Sequence, residues 1–162
     1  MQLAESIPWD LMKGERCWHV SAGGATAPSF VLVLGKRIPR QKDLRNRSQP
    51  SLYRKYRGSV ELLVWCSWRL ETRDAVLASS DQGEAGLTEM ERLVEARVAE
   101  IDCYPPAWDL AISFVDGRVL RVFCDHVVPN ASFRQNWELW LPGVEVTAGP
   151  GSQLEIDYPP VA

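Results

Sequence analysis

Long hydrophobic runs are absent from this chain of 162 residues. Its longest apolar stretches, Phe30 to Leu34 and Leu62 to Cys66, have five residues each, whereas a membrane-spanning helix needs about 20. The first 13 residues carry Glu5 and Asp10 and contain no apolar core, so they lack the pattern of a secretory signal peptide. The sequence therefore predicts a cytoplasmic protein that does not enter a membrane.

The short motifs of the common enzyme classes are also missing. The chain contains no phosphate-binding glycine loop, no Gly-x-Ser-x-Gly nucleophile elbow and no His-Glu-x-x-His helix. The carboxylates of Glu89, Glu91, Glu95 and Glu100 fall on or near the polar side of a predicted helix, where solvation is their usual role. We therefore predict no catalytic residue and no cofactor, and we favour a binding protein over an enzyme.

Cysteine is sparse, and in a cytoplasmic protein the four widely spaced thiols are expected to be reduced. Two of them belong to Cys-x-His triplets, Cys17-Trp18-His19 and Cys124-Asp125-His126, which use both histidines of the chain. Residues i and i+2 of a strand share a face, so the triplets could form a Cys₂His₂ zinc site or a Cys–His nucleophile pair. Their spacing differs from that of structural zinc sites, and buried thiols beside ordinary histidines also explain it. We predict no metal ligand and keep a zinc-dependent or cysteine enzyme as an alternative.

Positive charge is concentrated in one segment. Between Lys36 and Arg57 the chain has nine basic residues and one acid, Asp43. This segment carries +8 in a chain of net charge −3, which leaves −11 for the remainder. Two tyrosines lie among the basic residues and could stack on bases or contact a protein surface. The candidate binding residues are Arg37, Arg40, Lys42, Arg45, Arg47, Tyr53, Arg54, Lys55, Tyr56 and Arg57.

Three interpretations of this basic segment follow from its composition. Its partner could be an acidic protein surface, or it could be a nucleic acid or another anionic ligand whose phosphates contact Lys and Arg. Alternatively, the charges only balance the acidic remainder of the chain and keep a loop solvated. Because the acidic remainder would repel a long nucleic acid, we favour a protein partner.

Alternating apolar residues predict antiparallel β-hairpins in both halves of the chain. The clearest single strand spans 60–70, where every second residue is apolar. The clearest hairpin joins 108–114 to 118–124 through the Asp116-Gly117 turn. Shorter strands are predicted at 15–20, 28–34, 75–79, 136–141, 144–147 and 153–157.

One helix is predicted from about Leu87 to Ile101, with Thr88 and Glu91 as a capping box at its start. Pro105 and Pro106 prevent its continuation. A single helix among many strands indicates an α+β fold in which a curled antiparallel sheet packs on the helix. The length favours one domain over residues 1–162, interrupted by a basic loop at about 36–57.

The C-terminal half contains Trp108-Asp109-Leu110, the Asp116-Gly117 hairpin, Asn136-Trp137-Glu138-Leu139 and Gly149-Pro150-Gly151. With these motifs it resembles small bacterial proteins of unknown function, some of which look like immunity proteins against bacterial toxins. The resemblance covers about residues 105–157, and its motifs are turns and strands that carry no catalytic signature. It implies a small α+β protein that acts by binding a protein partner, such as an immunity-type inhibitor of a toxin.

Overall fold

The computed structural model describes residues 3–22, 29–129 and 135–160. In chain order its strands are β1 (Cys17–Ala22), β2 (Phe30–Pro39), β3 (Tyr56–Val64), β4 (Ser67–Glu71), β5 (Val76–Ser79), β6 (Val98–Tyr104), β7 (Asp109–Phe114), β8 (Val119–Phe123), β9 (Trp137–Leu141), β10 (Val144–Ala148) and β11 (Leu154–Asp157). The α-helices are α1 (Ser51–Lys55) and α2 (Glu84–Met90), and 3₁₀ turns occupy Ala4–Ser6, Trp9–Leu11, Ser80–Gln82 and Glu91–Leu93. No helix within these ranges is long and apolar enough to cross a membrane.

The strands form two antiparallel sheets. The first has six strands in the order β1-β2-β3-β9-β10-β11, and the second has five in the order β5-β4-β8-β7-β6. Every strand pair in the described ranges is antiparallel. The predicted antiparallel, sheet-rich architecture is therefore confirmed, although it consists of two sheets.

The predicted strand at 60–70 is divided between the two sheets. β3 ends at Val64 and β4 begins at Ser67, so the two residues between them carry the chain across. Every second residue nevertheless points inward, and Phe30 of β2 meets Trp68 of β4 edge to face with ring centroids 5.4 Å apart. Side chains from both sheets therefore belong to one hydrophobic core.

The predicted helix from Leu87 to Ile101 is wrong in its second half. α2 is only seven residues long, and Glu95 has a φ angle of +79°, which an α-helix does not accommodate. From Val98 onward the chain forms β6, which pairs with β7. Val98 and Ile101 are buried, but they are buried as strand residues.

The predicted capping box is also wrong. The Thr88 hydroxyl donates to the Glu84 carbonyl oxygen at 3.1 Å, inside α2. A capping box forms instead between Ser79 and Gln82, at the start of the preceding 3₁₀ turn. The longest helix of the described residues is therefore α2, with seven residues, and no single helix spans 87–101.

Half of the predicted basic loop at 36–57 is built from regular elements. β2 continues to Pro39, α1 begins at Ser51, and β3 begins at Tyr56. Only residues 40–50 contain neither helix nor strand. The basic residues consequently project from a framework that the first sheet supplies.

Candidate functional site

The basic segment folds back on itself where the β2–β3 hairpin ends. The two strands stay paired to the last residue of β2. Beyond it, the Arg40 N–H donates to the Lys55 carbonyl oxygen and the Leu44 N–H donates to that of Arg54, each at 2.9 Å. Backbone hydrogen bonds therefore hold residues 40–44 against α1.

A bend in β2 precedes the segment. The β2–β3 register shifts between Leu34 and Arg37, and Gly35 has a φ angle of +82° that favours glycine. The Lys36 N–H donates to Ser59 Oγ at 2.9 Å and so fixes the bend to β3. Lys36 and Arg37 are exposed directly after it.

Seven basic side chains of the segment are exposed and make no ion pair with the described residues. Every Asp and Glu of the chain lies within the described ranges. The ion pairs among these residues all use lysines and arginines from outside 36–57. Direct pairing with the chain's own acids therefore does not account for the charge. We call these seven residues the basic surface: Lys36, Arg37, Lys42, Arg45, Arg47, Lys55 and Arg57.

Two further arginines of the segment have a structural role. Arg40 and Arg54 are half-buried. Arg40 Nε donates to the Tyr53 carbonyl oxygen at 3.0 Å, and Arg54 Nε donates to that of Leu44 at 3.1 Å. These two predicted binding residues therefore hold the segment in shape.

Tyr53 is buried beneath the segment. The Arg40 guanidinium lies 4.8 Å from the centroid of the Tyr53 ring, and the centroid of the His19 ring lies 4.5 Å from it. Burial raises the pKa of the Tyr53 phenol, so it is neutral at physiological pH. The ring is not available to stack on a base, and the second predicted tyrosine, Tyr56, is half-buried.

Polar contacts tie residues 40–50 to β1. Nε2 of His19 lies 3.4 Å from Oε1 of Gln49, and Nε2 of Gln49 donates to Oγ of Ser21 at 2.9 Å. Burial lowers the pKa of His19, and the contact with Gln49 partly opposes this shift. Neutral His19 is therefore part of the platform under the basic surface.

The opposite half of the first sheet is acidic. β9, β10 and β11 contain four acids and no basic residue. Glu138 and Glu155 both flank Thr147 across the strands, and Glu145 faces Asp157. A large anionic partner would therefore meet favourable charge at one end of this sheet and unfavourable charge at the other.

Two clefts lie along the second half of β2. The larger, of about 510 Å³, is lined by Glu15, Arg16, Trp18, Gly35, Lys36, Arg37, Glu95 and Arg97. The smaller, of about 430 Å³, is lined by Pro39, Arg40, Gln41, Lys42, Leu44 and Arg57. Both clefts combine cations with concave surface, but only the smaller has no acidic residue in its lining.

The structure separates the members of the Cys-x-His triplets. A register shift between Cys17 and His19 puts Cys17 in the core and leaves His19 half-buried beside Tyr53. In the other triplet, the Cys124 thiol donates to the Trp108 carbonyl oxygen at 3.3 Å, whereas His126 lies in the loop after β8. The described residues contain no group of three or more Cys, His, Asp and Glu placed to hold a metal ion.

The Cys17–His19 pair is not arranged as an activated nucleophile. Burial raises the pKa of Cys17 to about 12, so the thiol stays protonated at neutral pH. Its sulfur lies 3.6 Å from the His19 carbonyl oxygen, a backbone atom. Asp125, which could orient a histidine, instead accepts hydrogen bonds from the N–H and the hydroxyl of Ser67.

Sequence reasoning missed two residues of this region, Trp18 and Gln49. The Arg37 guanidinium lies 5.3 Å from the centroid of the Trp18 ring. The indole Nε1 of Trp18 is buried and has no hydrogen-bond acceptor among the described residues. Strand alternation could have pointed to Trp18, because it places this residue on the face opposite to the buried Cys17. No local signal marks Gln49, because its role depends on contacts with β1, 30 residues earlier at His19.

Comparisons with known proteins add no information about this site. No family model, no curated protein and no solved structure matches the chain. The principal feature of the site is therefore an exposed set of cations without acidic partners among the described residues.

Proposed function

We propose that this chain is a non-catalytic binding protein that recognises an acidic surface of a protein partner through the basic surface. One observation carries the proposal: none of the seven exposed cations forms an ion pair with an Asp or Glu side chain, all of which lie within the described ranges. Exposed cations that do not serve the fold are free to pair across an interface. Complementary charge of this kind steers association and fixes the register of a complex.

The framework under the basic surface favours binding as well. Arg40 and Arg54 hydrogen-bond to backbone carbonyls, and Gln49 connects the segment to β1 through Ser21. A segment that is ordered before binding loses less conformational entropy when the complex forms. The cations are therefore presented on a preorganised scaffold.

The more specific form of this proposal is an immunity-type inhibitor whose partner is a bacterial toxin. It is supported by the resemblance of residues 105–157, which here form β7 to β11. Those strands lie outside the basic segment, so the resemblance and the charge pattern are independent supports. In this form the basic surface would cover an acidic region that the toxin needs for its activity.

The experiment is affinity capture from a lysate of the native host, with elution by increasing salt. Wild-type protein is compared with Arg45→Glu/Arg47→Glu, which reverses two exposed charges of the basic surface. The control is Arg73→Glu/Arg92→Glu, which makes the same change of charge at exposed positions outside it. We expect one acidic protein that wild type and control retain and the first variant loses.

Two outcomes would contradict the proposal. If wild type retains no protein, or if control and test variants lose the same proteins, the basic surface is not a specific protein interface. A purified partner allows a second measurement. The affinity of the chain for this partner should fall as the salt concentration rises, because exposed charges are screened over about 10 Å at 0.1 M salt.

Nucleic acid is the second candidate, since the same free cations could contact phosphates. The acidic strands β9 to β11 and the burial of Tyr53 make it the weaker one. Fluorescence anisotropy with single- and double-stranded oligonucleotides at two salt concentrations distinguishes the candidates. If wild type binds an oligonucleotide in a salt-dependent way and Arg45→Glu/Arg47→Glu does not bind it, the partner is a nucleic acid and not a protein.

A further inference from the structure

The cleft of about 430 Å³ at the end of β2 has a lining of one charge sign. Arg40, Lys42 and Arg57 are its charged lining residues, and the other three are uncharged. None of these cations forms an ion pair with an acid of the chain. The nearest acid in sequence, Asp43, is exposed and does not line the cleft.

Arg40 is fixed in position before any ligand binds. Its N–H donates to the Lys55 carbonyl oxygen, its Nε donates to that of Tyr53, and its guanidinium lies over the Tyr53 ring. One terminal nitrogen of this guanidinium is buried and has no acceptor among the described residues. An unsatisfied buried donor costs free energy, so nearby negative charge would stabilise this arrangement.

The neighbouring cleft of about 510 Å³ shows the difference. Glu15 and Glu95 line it together with the cations, and Glu95 already pairs with Arg16 at 3.3 Å. The positive charge of the larger cleft is therefore partly neutralised by the chain itself. No carboxylate lines the smaller cleft, so its positive charge is not neutralised in this way.

We propose that the smaller cleft binds the dianion of a phosphate monoester. Two guanidinium groups and one ammonium group supply several donors for the oxygens of a phosphate, and the exposed Arg57 can pair with two of these oxygens through parallel hydrogen bonds. A single carboxylate would leave more of the cleft's charge uncompensated. The site deepens the proposed function and rests on it in one respect, because it assigns one anionic group of the partner to a cleft that shares Lys42 and Arg57 with the basic surface.

The test is a titration of ¹⁵N-labelled protein with phenyl phosphate, with benzoate as the matched ligand of lower charge. We expect saturable shifts of the amide signals at Arg40, Lys42 and Arg57, and binding of benzoate weaker by about tenfold. Unsaturable shifts, or equal affinity for the two ligands, would overturn the proposal.

Two double variants separate a site from diffuse attraction. Lys42→Gln/Arg57→Gln removes two exposed cations of the cleft, and Arg45→Gln/Arg47→Gln removes the same charge outside it. We expect the first to weaken phenyl phosphate binding by about tenfold or more and the second by less than about twofold. Equal losses in the two variants would overturn the proposal, and unchanged unfolding curves show that both remain folded.

A further arm identifies the source of the phosphate group. A short peptide with one phosphoserine is compared with its serine twin and with phenyl phosphate. Tighter binding of the phosphopeptide assigns the phosphate to a protein side chain, and tighter binding of phenyl phosphate assigns it to a small molecule. If a protein partner depends on Arg45 and Arg47 while phenyl phosphate fails to bind, the cleft proposal fails and the proposed function remains.

Discussion

The guanidinium of Arg40 lies 4.8 Å from the centroid of the Tyr53 ring, and Arg40 Nε donates to the Tyr53 carbonyl oxygen at 3.0 Å. Arg40 thus stabilises the conformation of the segment that carries the other cations. The Tyr53 ring also contacts the His19 ring of β1. The pair therefore connects the basic surface to the first sheet.

Replacing Tyr53 with alanine should destabilise the protein substantially. Tyr53 is only 8% exposed, and loss of a buried aromatic ring typically lowers the free energy of unfolding by about 3 kcal/mol. Tyr53→Phe keeps the ring and should lower it by about 1 kcal/mol or less. Urea unfolding measures both changes. Leu52→Ala, at an exposed position of the same helix, is the control, and an equal loss there would contradict the assigned role of Tyr53.

His19 should make stability depend on pH near neutrality. Burial lowers its pKa in the folded protein below the ordinary value of 6.5, so the unfolded chain takes up a proton more readily than the folded one. The free energy of unfolding therefore falls as the pH drops below about 6.5, and no penalty applies above it. The Glu91 carboxylate and the Gln49 amide reduce the shift but do not reverse it.

The measurement is urea unfolding of wild type and His19→Gln at about pH 7.5 and at about pH 5. Other groups titrate alike in both proteins, so the difference between the two pH responses isolates His19. We expect the wild type to lose more stability on acidification. Parallel pH responses would show that His19 remains solvated.

Asn136 should be among the most sensitive polar positions. Its side chain is fully buried, its Nδ2 donates to the carbonyl oxygens of His126 and Gly149 at 3.2 and 3.0 Å, and its Oδ1 accepts from the His126 N–H at 3.0 Å. Asn136→Ala leaves three backbone groups without these partners and should lower the free energy of unfolding by about 3 kcal/mol. Chemical unfolding checks this value. A loss no larger than that of Asn46→Ala, at an exposed position, would refute it.

Local patterns predicted well wherever neighbouring residues decide the structure. The alternation from Val60 to Leu70 is local, and the inward side chains of that stretch are all buried. The transfer of the chain to a second sheet between Val64 and Ser67 depends on pairing with β8 and β9, which lie far away in sequence. No local signal could reveal it.

The helix prediction and the candidate site show the same limit of local patterns. Met90, Val98 and Ile101 fit a helical stripe, but β6 owes its conformation to pairing with β7. The amino-acid composition is enough to predict the positive charge of the basic segment. The burial of Tyr53 cannot be predicted in this way, because it depends on β1, whose His19 lies against the ring. Composition therefore identifies which charges exist, and packing decides which of them are free.

The ion pairs of Glu71 with Arg121 and Arg69 should raise the free energy of unfolding by an amount that depends on pH. Arg121 and Arg69 both hydrogen-bond to the carboxylate of Glu71, and Arg121 is the larger cause of the lowered pKa of that group. Glu71→Gln should therefore lower the free energy of unfolding by about 1 kcal/mol at neutral pH. A carboxylate with a lowered pKa stabilises the fold above its ordinary value of 4.5, and this contribution is lost as the pH falls through the folded value. The free energies of unfolding of Glu71→Gln and wild type should therefore differ at neutral pH and converge at acidic pH, which unfolding curves at the two pH values measure.

The unpaired charges of the basic surface should behave in the opposite way. Arg45 and Arg47 are exposed and have no acidic partner, so Arg45→Gln/Arg47→Gln should change the free energy of unfolding by no more than about 0.5 kcal/mol. Unfolding at neutral pH, beside Glu71→Gln, measures this contrast. A loss as large as that of Glu71→Gln would mean that the fold uses these cations. Unchanged stability together with loss of partner binding would show that they serve recognition, because side chains that a fold does not need are free to contact a partner.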